Sequence, residues 1–314
     1  MFHFEKPQKV MQIGPWRVGG QPGENPTLLI GSLFHKGDAL IESRKEGRFN
    51  RERAERLIRQ QERLSLETGL PSMFDIVANS GDEFKAYIDF VLEVTDLPFA
   101  IDAWMLKPKL EAAQYVQELG CLDRMVYNSL NVWSEDIPKE IEAIRKIGVK
   151  HLVLVPFDDQ DLLPSGRLTG LRRLLEALGD NPSETLLVDT SVMNTPAAGI
   201  ASWANYQIKK EFGLPVGNAP ANGSYMWKEA KAMWGKEGFA AVDAVLHGLC
   251  GLLWSDFLFY GPLTGAGRIF PAVAVANALL ATIRFAQESQ LPTGRDHPLQ
   301  KLFSDFVQKL EKRS

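Results

Sequence analysis

The chain has 314 residues, 45% of them hydrophobic and 24% charged, with a formal net charge of −4 at pH 7. This is the composition of a soluble globular protein long enough to bury a full core, and its slight acidity argues against a nucleic-acid surface, which is usually basic. Two cysteines without a Cys-x-x-Cys pair, and no His-Glu-x-x-His, exclude a disulfide framework and common zinc signatures. The N-terminal MFHFEKPQKVMQ has no basic segment leading into an apolar stretch, and the apolar tract 240–253 is broken by Asp243, His247 and glycines. Neither a secretory leader nor a membrane helix is expected, and the location expected is cytoplasmic.

In chain order, short apolar runs alternate with amphipathic stretches, the pattern of βα units around a parallel sheet. Val10–Ile13 and Trp16–Val18 flank Gly14-Pro15 and predict a hairpin closing the bottom of a barrel. The core strands are predicted at 27–33, 72–77, 99–103, 125–129, 151–157, 185–189 and 215–217, with helices at 51–68, 82–95, 109–119, 137–147, 168–177, 198–212 and 226–234. The eighth strand is either 244–246 or 252–259, and the final helices run from about 271 to the end. Eight units without a Gly-x-Gly-x-x-Gly turn after the first strand favour a (β/α)8 TIM barrel over an open nucleotide-binding sheet. The expected organisation is one barrel domain over 1–314, with 1–26 as a hairpin extension.

Catalytic groups in such a barrel project from the C-terminal strand ends. Those ends carry Asp75, Asp102, Asn128, Asp189 and Asn218, with Asn131, Asp158, Asp159, Asp161, Asn194, Asn222 and Asp256 nearby. Asp and Asn also cap helices and make turns, which accounts best for Asp159, Asp161, Asn131 and Asn222. It accounts least for Asp102 and Asp189, where an apolar strand ends in a carboxylate that is costly to desolvate without a partner. Acceptors and amides with few cations suit a flat heterocycle rich in N–H donors, such as a pterin; a phosphate would call for Lys, Arg or clustered backbone N–H groups.

Four segments, LIGSLF(HK)GD at 29–38, PSMFD at 71–75, IDAW at 101–104 and PVGNAPANG at 215–223, carry a resemblance over nearly the whole chain. The sequence resembles the H-subunit family of tetrahydromethanopterin S-methyltransferase, and most closely its bacterial relatives that use tetrahydrofolate in glycine betaine demethylation. The resemblance implies a pterin-binding barrel moving a methyl group from a methylcobalamin carried by a separate corrinoid protein to N5 of tetrahydrofolate. It implies that Asp102, Asn128 and Asp189 hold the pterin edge and that Asn218 orients N5; Asp75, from its place at the end of strand two, is also expected to bind the substrate. It implies a homodimer, and a folate tail near Lys36. Relatives often carry Gly-Glu-Arg near the end of strand one, where this chain has Gly31-Ser32-Leu33, with His35 and Asp38 as the nearest substitutes. No Asp-x-His-x-x-Gly is present, so the corrinoid is expected on a partner docking at an open mouth, with 254–267 a candidate lining.

Other readings stay open. His247 and Cys250, with Cys121, could be weighed as a zinc set, although no metal is expected. Asp158–Asp161 could attract Mg2+. Tetrahydromethanopterin could replace tetrahydrofolate. A dihydropteroate-synthase-like enzyme would need a basic diphosphate subsite, an aldolase-type barrel a strand-six lysine, and neither is found. A non-catalytic pterin carrier would bind without turnover.

Overall fold

The computed structural model describes residues 2–180 and 183–312. The chain opens with the antiparallel hairpin β1 (Val10–Ile13) and β2 (Trp16–Gly19), turned at Gly14, whose φ of 52° lies in the left-handed region. Then come β3 (Leu28–Leu33), a small antiparallel ribbon of β4 (Ile41–Ser43) and β5 (Arg48–Phe49), and α1 (Arg51–Thr68). The units that follow are β6 (Ser72–Val77), α2 (Gly81–Val94), β7 (Phe99–Asp102), α3 (Leu106–Glu118), β8 (Met125–Asn131) and α4 (Ile137–Ile147). They continue with β9 (His151–Val155), α5 (Pro164–Leu178), β10 (Thr185–Asp189), α6 (Ala197–Phe212) and β11 (Val216–Asn218). The chain then forms α7 (Pro220–Met226), α8 (Lys228–Leu252), β12 (Phe257–Pro262), α9 (Ala266–Glu288), α10 (Pro298–Leu302) and α11 (Ser304–Glu311).

Strands β3, β6, β7, β8, β9, β10, β11 and β12 pair in parallel in that order, and β12 returns to β3, closing the expected (β/α)8 barrel. Strand alternation sorts the side chains into two layers. Leu28, Ile30, Met73, Ala100, Val126, Val153, Leu187 and Phe257 fill the barrel interior together with Ile13 and Val18 of the hairpin. The hairpin therefore plugs the N-terminal end, as predicted, and Trp16 Nε1 fastens it by donating to the Ser72 carbonyl at 2.8 Å. The alternate residues, among them Leu29, Phe74, Ile101, Tyr127, Leu152, Val188, Val216 and Leu258, pack outward against the helices.

Three expectations need correcting. Of the two candidates for the eighth strand, 252–259 overlaps β12, though β12 begins only at Phe257, and 244–246 lie inside α8, where Asp243, Leu246, His247 and Cys250 recur at helical spacing as a buried face. The predicted helix 226–234 is divided, because α7 ends at Met226 and α8 begins at Lys228 and kinks at Gly235 (φ 68°). The last helices begin at Ala266 rather than 271, with Pro271 tolerated inside α9. The segment Leu263–Glu288 is the one candidate by length and hydropathy for crossing a membrane among the described residues, and half of its most apolar stretch is buried within the protein.

Candidate active site

At the C-terminal mouth the inward alternation ends in polar residues. Ile30 is followed two residues later by Ser32, Met73 by Asp75, Ala100 by Asp102, Val126 by Asn128 and Leu187 by Asp189. These five line one cavity of about 410 Å³. The strands fix their relation: Ser32 is in register with Asp75, and Asp102 with Asn128. Ser32 Oγ donates to Asp75 Oδ2 at 3.2 Å and Asn128 Nδ2 to Asp75 Oδ1 at 3.1 Å, so Asp75 ties three strands together at the base of the mouth. Asp189 Oδ1 accepts from the Ser191 N–H at 2.7 Å, which secures the turn after β10, where Ser191 has a φ of 54°. Buried Arg167 holds the same turn from below, donating to the Thr190 carbonyl at 2.5 Å and the Ser191 carbonyl at 3.2 Å, with its guanidinium over the Phe157 ring.

Burial dominates the electrostatics. It pushes Asp102 up to about 6, against the pull of the Lys109 ammonium, and Asp189 up to about 6, against the Ser191 N–H and Arg167. Asp75 is raised well above the usual carboxylate range by burial and then by the Asp102 charge, opposed by its bonds from Asn128 and Ser32. Among the described residues, the one Lys or Arg lining the cavity is Lys109, whose Nζ lies 3.0 Å from Glu140 Oε1 and 2.5 Å from the Ser129 carbonyl. Tyr127 donates to the same Glu140 oxygen at 2.7 Å. These two charges come from first helical turns: Lys109 follows Pro108 in α3, and Glu140 follows the Asp136 cap of α4.

Of the predicted residues, Asp75, Asp102, Asn128 and Asp189 are brought together. Asn218 is not in the lining. It is fully buried with neither amide atom hydrogen-bonded, and it shares the outward side of the barrel with its register partner Leu258. Asn222, four residues on in α7, lines the cavity, as do Asn131 and Ala219. Asp256 is at the opposite end: it precedes β12 and pairs with buried Lys209 at 2.7 Å. In the 254–267 stretch, Phe259 and Gly261 reach the cavity, whereas Trp254 packs against Phe2 and Tyr206 elsewhere. His35, Lys36 and Asp38 do not line it; Asp38 instead accepts the Phe34 and Leu40 N–H groups and shapes the turn after β3. Asn194 Oδ1 accepts from the Ala197 N–H at the start of α6, and Asp158 and Asp161 accept bonds within their own loop. His247 and Cys250 are buried in α8, and among the described residues no group of three or more His, Cys, Asp or Glu could hold a metal ion.

Ser32, Lys109 and Glu140 were missed as site residues. Ser32 was readable from the alternation Leu28, Ile30, Ser32. Lys109 and Glu140 carried no such signal, because charges in a first helical turn usually face water.

The family model for the tetrahydromethanopterin S-methyltransferase MtrH subunit matches residues 6–290. The chain belongs to this family. Relatives in it are similar along almost their full length. The H subunit of the tetrahydromethanopterin S-methyltransferase of Methanopyrus kandleri is 34% identical, over 89% of this chain and 93% of its own. The H subunit of the putative methyltransferase mtx of Methanosarcina mazei is 33% identical, over 90% of this chain and 94% of its own. Relatives in the family are thus methyltransferases, the reaction class implied by the sequence. Among solved structures, dihydropteroate synthase from Xanthomonas albilineans with 4-aminobenzoic acid superposes with a TM-score of 0.57 at 14% identity, covering 87% of this chain and 99% of that one. The Yersinia pestis enzyme with a pterine–sulfa conjugate gives 0.56 at 12%, over 87% and 98%. At such identities the likeness is one of fold alone, a (β/α)8 barrel.

Proposed function

We propose that this member of the MtrH family transfers a methyl group from a methylcorrinoid, carried by a partner protein, to N5 of tetrahydrofolate. The observation that carries the reading is the convergence of Asp75, Asp102, Asn128 and Asp189 from four strands on one cavity whose lining cation is already paired. That acceptor set fits the hydrogen-donating edge of a reduced pterin and would repel a diphosphate, which speaks against dihydropteroate synthesis. Asp102 and Asp189 accept from the 2-amino group and N3–H. Asn128, held by Asp75, completes the edge. The corrinoid supplies a cobalt-bound methyl group; the chain's own task is to position the pterin and exclude water from it. Asn218 is assigned to N5. Its two unpaired amide atoms are the buried polar group that a bound ligand would satisfy, once the side chain turns toward the cavity that neighbouring Ala219 already lines. Trp104 and Trp133, both exposed and both lining the mouth, offer apolar surface to a docking corrinoid protein.

Likeness to the bacterial relatives supports tetrahydrofolate and a glycine betaine origin of the methyl group. A second reading, tetrahydromethanopterin as acceptor, draws on the substrate for which the family and the Methanopyrus relative are named. A homodimer is part of the proposal. Val245 and Leu249 of α8 and Val275 and Leu279 of α9 are about half exposed on adjacent helices, with no exposed charged side chain among them, so the face can meet its own copy without like-charge repulsion.

The protein, incubated anaerobically with methylcobalamin and either pterin, is expected to convert the corrinoid spectrum from the methylated to the cob(I) form. Asn218→Ala should slow turnover far more than it weakens pterin binding, and Asp189→Ala should damage binding. Wild-type rates in both variants would remove the site assignment, and stoichiometric binding without turnover would make the chain a carrier.

A further inference from the structure

The pterin reading leaves the cation in the cavity wall without a task. Lys109 and Glu140 are 3% and 1% exposed, yet both border the cavity. Burying an ion pair is costly, and an apolar pair of similar volume is often as stable, so fold stability alone is weak ground for its presence. The pair is also held in a defined place. The ammonium is fixed by the Ser129 carbonyl and the Glu140 carboxylate and sits 4.9 Å from the centre of the Tyr127 ring, while Tyr127 OH donates to the same Glu140 oxygen that the ammonium meets.

We propose that Lys109 is a positioning residue for Asp102: it holds the Asp102 carboxylate in its charged form, ready to accept hydrogens from a ligand's N–H edge. This rests on the pterin reading for the identity of that ligand. Asp102 stands among acids. Asp75 faces it from β6, Asp189 from β10, Glu140 from α4 and Glu135 from the mouth, while among the described lining residues Lys109 alone brings positive charge, from α3. Lys109 Nζ is anchored on the carbonyl of Ser129, next to Asn128, the register partner of Asp102, and its positive charge opposes the upward push of burial on Asp102. Without it, burial would favour a protonated Asp102, which offers a donor where the ligand also presents donors. Glu140 and Tyr127 act one step further out, by keeping the ammonium in place.

The test begins without a pterin. In the carboxyl 13C NMR titration of the apo protein, the Asp102 signal is identified by its absence in Asp102→Asn. Lys109→Met should raise its midpoint from about 6 by about one pH unit or more, while Lys109→Arg, which keeps the charge, should not. Tetrahydrofolate titrations then read the consequence. Lys109→Met should bind about twofold more weakly at pH 7 for a one-unit rise and about tenfold more weakly for a two-unit rise, and recover toward wild type as the pH is raised to about 9. In an Asp102→Asn background, Lys109→Met should add no pH-dependent loss. Lys109→Gln, which keeps a donor for the Ser129 carbonyl, takes the place of Lys109→Met if that variant does not fold. An unshifted midpoint, or an equal loss of affinity at every pH, overturns the proposal. A shifted midpoint in a protein that binds no pterin upholds the electrostatic role of Lys109 and sinks the pterin reading alone.

Discussion

One barrel interior holds two layers of opposite character, only two residues apart along each strand. The lower layer, with Ile30, Met73, Ala100, Val126 and Leu187, is apolar and closed by the hairpin residues Ile13 and Val18. The upper layer, with Ser32, Asp75, Asp102, Asn128 and Asp189, is polar and opens on the cavity. The same strands position both, so the rigid lower layer holds the carboxylates of the upper layer at fixed spacing. Stability and function occupy different ends of one structure, as expected for a barrel whose reactive face is its C-terminal end.

If the layers are that distinct, substitutions should divide cleanly between them. The largest stability effect is expected below. Ile30→Ala should lose about 2–5 kcal/mol in chemical denaturation, with turnover near wild type at temperatures where the variant stays folded. In the upper layer the sign reverses. Burial raises Asp189 to about 6, so the folded state favours its protonated form, and that contribution is lost as the pH climbs through about 6. Asp189→Asn removes the penalty and keeps an acceptor for Ser191. Its melting temperature should exceed that of wild type by a few degrees at pH 8, by up to roughly 3 kcal/mol in stability, and the gain should vanish near pH 4. A loss of stability at pH 8 would show that the upper carboxylates support the fold. The smallest effect is expected at the boundary. Ser32→Ala frees one Asp75 oxygen and should weaken pterin affinity about threefold to tenfold, with little change in melting.

Much of this division was legible in the sequence, because a parallel strand buried on both faces reads as an apolar run, and a carboxylate at its end has no ordinary reason to be there. Asp102 and Asp189 were found that way. The same signal misled at Asp256, because an acid beside an apolar run does not reveal which end of the strand it marks. Here the run continues from the end of α8, and Asp256 turned out to neutralise buried Lys209 at the barrel floor. Lys109 and Glu140 were invisible for a different reason: they reach the cavity from helices, and their burial depends on how α3 and α4 settle against β7 and β8. The Asn218–Asn222 segment divides likewise. Sequence order could pick out both amides, but only the fold says that Asn222 lines the cavity while Asn218 is buried behind it.

Calorimetric titration of tetrahydrofolate into the wild-type protein and into Asp102→Ala and Asp189→Ala bears most directly on the polar layer as a pterin grip. The account predicts saturable one-site binding for wild type, weakened roughly tenfold to a hundredfold in each variant while both stay folded. Saturable binding that neither substitution alters, or no binding of tetrahydrofolate or tetrahydromethanopterin by the wild-type protein, would contradict it.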